Sequence, residues 1–280
     1  MPIRDYFAGT YSEARQKFLD AAHEARGRLT AYTIADGQGP QGEPLSIDVA
    51  RLGPDEPDSV LLLISATHAR GLGGPEPPYR WDSTSTSMAW LRSRRQCRGD
   101  NILGRQDCFV AGEERVGRTT LRSILKHSLA PSVKKLAVLD FHTGLGPMGY
   151  GEPIYLGPPD EGFERAKKWY GPEVTSTLRG TSASAAIAGA LPEVFLGLAG
   201  TVEVTYLALE YGTLPIMEVL TSLRADHWLH AVPDRQTPLR GQIERQMRNA
   251  FYVDTPAWKA AVYGRAADFV VRAARALASS

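Results

Sequence analysis

A chain of 280 residues, 43% hydrophobic and 22% charged, has the composition of a soluble globular protein and enough length to bury a core. A formal net charge of +1 excludes a large electrostatic footprint for nucleic acid, so no nucleic-acid partner is expected. No apolar run approaches the ~20 residues of a membrane span, and Met1-Pro2-Ile3-Arg4-Asp5-Tyr6 lacks the apolar core of a signal peptide. The expectation is a cytoplasmic protein with no membrane partner.

In chain order, Thr10 or Ser12 caps a helix through Ala14, Phe18, Ala21, Ala22 and Ala25, whose spacing gives one apolar face. Two extended stretches, residues 28–35 and 44–52, flank the turn-rich Asp36-Gly37-Gln38-Gly39-Pro40. They read as an antiparallel edge feeding a central parallel sheet. A buried strand follows over residues 60–66. Residues 69–117 carry Arg70, Arg80, Arg92, Arg94, Arg95, Arg98, Arg105 and Arg115 but few aliphatic side chains and no clear period. They read as an irregular, shortened surface segment; a phosphate-binding or nucleic-acid-binding patch is the weaker alternative. Cys97 and Cys108 fall in this segment and are too few for a disulfide framework.

Regular pattern returns with a helix over residues 119–129 and a strand over 135–141, then a glycine-rich loop over 143–151. Residues 150–156 read as a further strand. Pro159 and Asp160 open a helix through Phe163, Ala166 and Trp169. Residues 181–191 are small and apolar and suggest a helix. Residues 202–209 read as a strand ending at Glu210. Pro215 starts a helix through Met217, Leu220, Leu223, Trp228 and Leu229. Thr255 caps a last helix to about Leu277, with Pro256 in its first turn. The fold class expected is α/β, a mixed and mostly parallel central sheet with helices on both faces, in a single domain over residues 1–280.

Two of these strands lead to histidine: Val60-Leu61-Leu62-Leu63-Ile64-Ser65-Ala66-Thr67-His68 and Leu136-Ala137-Val138-Leu139-Asp140-Phe141-His142-Thr143-Gly144. Ligands of open α/β sheets bind beyond the carboxyl ends of the strands. His68 and His142 are therefore candidate zinc ligands; the alternative is two unrelated histidines with ordinary hydrogen bonds. Asp140 is two residues before His142 and on the same face of a strand. It reads as the group that orients His142, as a ligand itself, or as a core aspartate bonded to backbone. Glu210, after an apolar run, is a candidate general base or a salt-bridged glutamate. Residues 143–151 offer backbone N–H groups for an oxyanion or a substrate carboxylate, or form a simple glycine turn. His227 and His230, three apart on a helix, read as packing residues rather than metal ligands.

The strings Ile64-Ser65-Ala66-Thr67-His68, Asp140-Phe141-His142-Thr143-Gly144-Leu145-Gly146 and Leu209-Glu210-Tyr211-Gly212-Thr213 resemble the zinc carboxypeptidase-like superfamily. More narrowly, the chain resembles an uncharacterised bacterial branch, a domain of unknown function related to succinylglutamate desuccinylase and aspartoacylase. The resemblance covers residues 1–68 and 118–280. It implies one zinc ion, with His68 as first ligand, His142 as last and Glu210 as general base. The implied reaction is attack of water on an amide carbonyl of a small peptide or acyl-amino-acid substrate. The chain departs from that pattern after His68, where Ala69-Arg70-Gly71 lacks the glutamate of a His-x-x-Glu pair. Glu76 and Asp140 are the candidate substitute ligands. An Asn-Arg pair that handles the substrate carboxylate or oxyanion is echoed only by Asn101-Ile102-Leu103-Gly104-Arg105, which makes Arg105 its candidate. These departures leave a catalytically impaired or non-catalytic relative as the alternative reading. Substrate identity and oligomeric state are not encoded in any of these motifs.

Overall fold

The computed structural model describes residues 6–9, 11–38, 44–65, 116–184, 192–198, 201–231 and 237–279. Helix α1 (Tyr11–Glu24) leads into strands β1 (Arg28–Gln38) and β2 (Pro44–Arg51). These two strands pair antiparallel with each other in a two-stranded sheet of their own, not as an edge of the central sheet. Residues 28–33 and 46–51 of these strands are exposed or half-buried, unlike the fully buried residues of the central strands. Arg15 ties α1 to β2, donating from Nε and Nη2 to the two carboxylate oxygens of Asp48 at 2.6 and 3.0 Å.

The central sheet is built from β3 (Ser59–Ile64), β4 (Lys135–Met148), β5 (Gly151–Tyr155), β6 (Thr175–Ser176) and β7 (Glu203–Gly212), in the order β3-β4-β7-β5-β6. β3, β4 and β7 run parallel, β5 runs antiparallel to β7, and β6 is parallel to β5. The mostly parallel α/β architecture expected from the sequence is thus present. β3 lies at one end of that order and leaves Leu63 49% exposed, so its apolar run is only half-buried. β4 and β7 occupy the middle and carry the fully buried Leu136, Ala137, Val138, Leu139, Leu207 and Leu209.

Alternation along the strands separates two cores. One face sets Ala137, Leu139, Leu207 and Leu209 against Phe163, Ala166 and Tyr170 of α3 (Glu161–Tyr170) and Trp258, Phe269 and Ala273 of α7 (Pro256–Ala278). The opposite face sets Leu136, Val138, Val204 and Tyr206 against Leu125 of α2 (Val116–Ser128) and Val194 and Phe195 of α4 (Pro192–Leu196). A third cluster forms around the C-terminal part of β4. It joins Leu145 to Val219 and Leu223 of α5 (Ile216–Ala231) and to Ala250 and Phe251 of α6 (Arg240–Phe251). Caps fall where the sequence places them. Asp160 Oδ1 accepts from Gly162 N at the start of α3, and Thr255 Oγ1 accepts from Trp258 N at the start of α7. Among the described residues no helix is long and apolar enough to cross a membrane.

Three differences from the expectation bear on the site. β4 does not stop at residue 141 but continues through the glycine-rich stretch to Met148. Pairing with β7 holds to Gly144↔Gly212 and resumes at Met148↔Gly212, so residues 145–147 form a bulge inside the strand instead of a loop after it. β7 likewise runs past Leu209, which puts Glu210 inside a strand and not at its end. Residues 182–184 form bends, not the first turn of a helix, and the rest of the helix expected there, residues 185–191, lies outside the described residues.

Candidate functional site

Register assembles the site. In the parallel β4–β7 pair His142 stands opposite Glu210, and in the antiparallel β5–β7 pair Glu152 stands opposite Glu210. Opposed residues of neighbouring strands share a face. His142, Glu210 and Glu152 therefore form one row across three strands spaced ~4.8 Å apart. Asp140, two residues back on β4, points to the same side, as the period of a strand requires.

Asp140 and His142 are a bonded pair. His142 Nε2 lies 2.8 Å from Asp140 Oδ2, and the Tyr206 hydroxyl donates to that same oxygen at 2.5 Å. Asp140 and Tyr206 are each 1% exposed, so the carboxylate is held by side chains inside the protein. Burial works against a charge on His142. The adjacent Asp140 carboxylate outweighs it through its charge and its hydrogen bond, Glu210 adds to it, and the imidazole is pushed up to about 9. Burial first, and then the Asp140 charge and hydrogen bond, raise the Tyr206 hydroxyl well above its ordinary value, so it acts as a hydrogen-bond donor.

Glu210 is 4% exposed. Burial raises its carboxyl pKa; the His142 charge and the Leu145 N–H oppose this, while Glu152 and Asp140 reinforce it, and the net direction is upward. The Leu145 N–H donates to Glu210 Oε1 at 3.0 Å. That bond depends on the bulge in β4, because a regular strand would aim this N–H along the ladder. The bulge depends in turn on Gly144, whose φ is +147° and whose missing Cβ would lie 2.8 Å from Phe251 Cε1. Thr143 Oγ1 donates to Phe251 O at 2.7 Å, and Thr213 Oγ1 sits 2.6 Å from Ala250 O and 2.9 Å from Gly144 O. The end of α6 is thereby fastened to the bulge. One of the backbone donors assigned by sequence to an oxyanion is accordingly spent on Glu210.

Glu152, 5% exposed, closes the row. Its Oε1 accepts from the Thr175 hydroxyl at 2.6 Å, and the Ala183 N–H lies 3.2 and 3.3 Å from its two oxygens. The cleft between α5 and α6, lined by Glu218, Gln242, Arg245 and Asn249 among others, contains none of these groups.

Of the residues singled out by sequence, the fold brings together Asp140, His142 and Glu210. His68, Glu76 and Arg105 lie outside the described residues, as do Cys97 and Cys108. Among the described residues no three His, Cys, Asp or Glu side chains converge in a metal-binding arrangement. His127 is occupied locally, its Nδ1 lying 2.6 Å from Ser123 O. Sequence reasoning missed Tyr206, Glu152 and the use of the Leu145 N–H as a partner of Glu210. For Glu152 a signal existed, a charged residue inside a stretch that otherwise reads as a buried strand.

Residues 7–76 and 109–265 match a family described as "Protein of unknown function (DUF2817)". The interruption, residues 77–108, falls within the arginine-rich segment and takes in Arg105. No curated protein and no solved structure matches the chain.

Proposed function

This chain belongs to the DUF2817 family, and we propose that it is a zinc-dependent hydrolase of amide bonds in small peptides or acyl-amino acids. The observation that carries the reading is the juxtaposition on adjacent parallel strands of a carboxylate-oriented histidine and a buried, raised-pKa glutamate. Relationship to the zinc carboxypeptidase-like enzymes, suggested by the Asp-Phe-His-Thr-Gly-Leu-Gly string, supports it and is part of the proposal.

The described donors fit one side of a zinc site. A histidine whose ring is fixed by a carboxylate is the usual form of a zinc ligand, and the Asp140–His142 pair has that form. With Nε2 directed at Asp140, ligation by His142 would use Nδ1. His68 is the second nitrogen ligand implied by the resemblance, and Glu76 or Asp140 the candidate third. Zinc held there would supply a water acidified to a pKa of about 7 and would polarise a substrate carbonyl. The protein's own part falls to four groups. Tyr206 fixes Asp140, Asp140 fixes the His142 ring, and the Leu145 N–H fixes one oxygen of Glu210. Glu210 then accepts a proton from the attacking water and delivers it to the leaving amine nitrogen. A carboxyl with a raised pKa is suited to both halves of that transfer.

A second reading, a non-catalytic relative, is favoured by Ala69-Arg70-Gly71 standing where a His-x-x-Glu pair would need its glutamate. Metal content of the purified protein, by elemental mass spectrometry, separates the two. About one zinc per chain, lost in His142→Ala, is expected of a working three-ligand site. Glu210→Gln should then keep the metal and lose turnover of dipeptides and acyl-amino acids. No zinc after supplementation, or equal turnover by Glu210→Gln and the parent, would refute the hydrolase.

A further inference from the structure

Glu152 takes no part in the chemistry just proposed, yet it is a buried carboxylate in the same row as His142 and Glu210. A buried carboxylate is costly unless its oxygens are bonded. Both of its bonded partners lie in residues 175–184. The Thr175 hydroxyl donates to it from the start of β6, and the Ala183 N–H is shared between its two oxygens. Between those points the chain makes a closed loop. The Gly180 N–H bonds Thr177 O, the Thr181 N–H bonds Ser176 O, and Thr181 Oγ1 accepts from the Ser176 N–H. Gly180, at φ +68°, makes the turn. The loop is thus cinched at its own neck and again at Glu152.

The side on which the loop lies follows from register. Glu152 projects to the face that carries His142 and Glu210, because it stands opposite Glu210. An N–H within bonding distance of its carboxylate is on that face too. Ala183 therefore lies against Glu152, on the face of the sheet that carries Glu210 and His142. Its neighbours Ser182 and Ser184 are equally small, and Ser182 Oγ accepts from the Ser184 N–H, which keeps this segment turned on itself.

We propose that Glu152 is a positioning residue: it anchors residues 175–184 as the wall of the site on that face of the sheet, and that wall sets the size of the acyl group accepted. This rests on the hydrolase reading for its substrate, but the anchor itself does not. An amide held by a carboxylate exchanges slowly only while the carboxylate is there. Glutamine at 152 retains a carbonyl oxygen able to accept both bonds; alanine does not.

The test compares zinc-loaded wild type, Glu152→Gln, Glu152→Ala and Thr175→Val. Two readouts are taken, hydrogen exchange at the Ala183 amide and KM and kcat for acyl-amino acids from acetyl to octanoyl. Glu152→Ala should speed Ala183 exchange about tenfold or more, the scale expected for losing a bond to a charged acceptor. It should also flatten the preference among acyl lengths through KM, with kcat less affected. Glu152→Gln should restore both properties. Thr175→Val should fall between, and serves as the anchor test if Glu152→Ala does not fold. Unchanged exchange in both Glu152→Ala and Thr175→Val would overturn the anchor. Faster exchange with an unaltered acyl preference would overturn the wall. If wild type hydrolyses none of the panel, the wall falls with the hydrolase reading, and exchange still decides the anchor.

Discussion

Asp140→Asn removes one buried charge from the site at nearly constant volume. In the metal-free protein the His142 imidazole is pushed up from 6.5 to about 9, against the effect of burial, chiefly by the charge and hydrogen bond of Asp140. At ~1.4 kcal/mol per unit, that displacement corresponds to about 3 kcal/mol. His142 has a folded pKa above its unfolded one. The stability it contributes is therefore fully present below pH 6.5 and is lost as pH rises through about 9. Glu210, also raised, acts in the same direction from its ordinary value of 4.5 upward. Urea unfolding of chelator-treated wild type should thus show falling stability from about pH 6 to about pH 10. In Asp140→Asn the effect of burial remains while its main opponent is gone, so the imidazole should titrate at or below 6.5. The variant should be roughly 2–3 kcal/mol less stable than wild type near pH 6 and no less stable near pH 10. Zinc affinity, measured by competition with a chelator, should drop about 10- to 100-fold with loss of the orienting carboxylate. An imidazole proton resonance that still titrates near 9 in Asp140→Asn would refute the assignment of Asp140 as the group that holds the His142 proton.

Other perturbations test the supports of the same site. Tyr206→Phe deletes the donor to Asp140 Oδ2 inside a packed cluster and should cost about 1–3 kcal/mol in urea unfolding, with a smaller drop in zinc affinity than Asp140→Asn. Gly144→Ala must place a methyl 2.8 Å from Phe251 Cε1 at a φ of +147°, so a loss of roughly 2–4 kcal/mol is expected. An unchanged melting temperature would mean that the bulge does not need glycine. Thr213→Val removes the hydroxyl that reaches Ala250 O and Gly144 O and should cost about 1–2 kcal/mol. Faster hydrogen exchange at the Leu145 amide should accompany that loss, because the bulge is fastened there.

The parts of the fold legible in the sequence are those set by local pattern. The apolar runs of β3, β4 and β7, the Asp160 cap and the Thr255-Pro256 start of α7 all come from residues close together in the chain. What depended on distant partners was not legible. β1 and β2 read as an edge of the main sheet, and only their pairing with each other in a separate sheet sets them apart from it. The helix α6 escaped notice because its face, Ile243, Met247, Ala250 and Phe251, is thin among charged residues and gains its meaning from the end of β4. Gly144-Leu145-Gly146-Pro147 has every local mark of a loop; pairing of Met148 with Gly212 makes it a bulge instead.

The site shows the same division at the level of single residues. Asp140, Glu152 and Glu210 each interrupt an apolar strand, and a charge there is tolerated only when its oxygens are bonded. That much marks all three as residues with partners, and the i, i+2 relation makes His142 one of the partners open to Asp140. The partner of Glu210 is a backbone N–H sixty-five positions away, and those of Glu152 are a hydroxyl and a backbone N–H beyond a helix. No local pattern encodes these. They follow from strand order, since placing β7 between β4 and β5 is what lines up His142, Glu210 and Glu152. A mutation that shifted β5 by one residue against β7 would turn Glu152 to the opposite face. It would strip the loop of its anchor while leaving the Asp140–His142 pair intact.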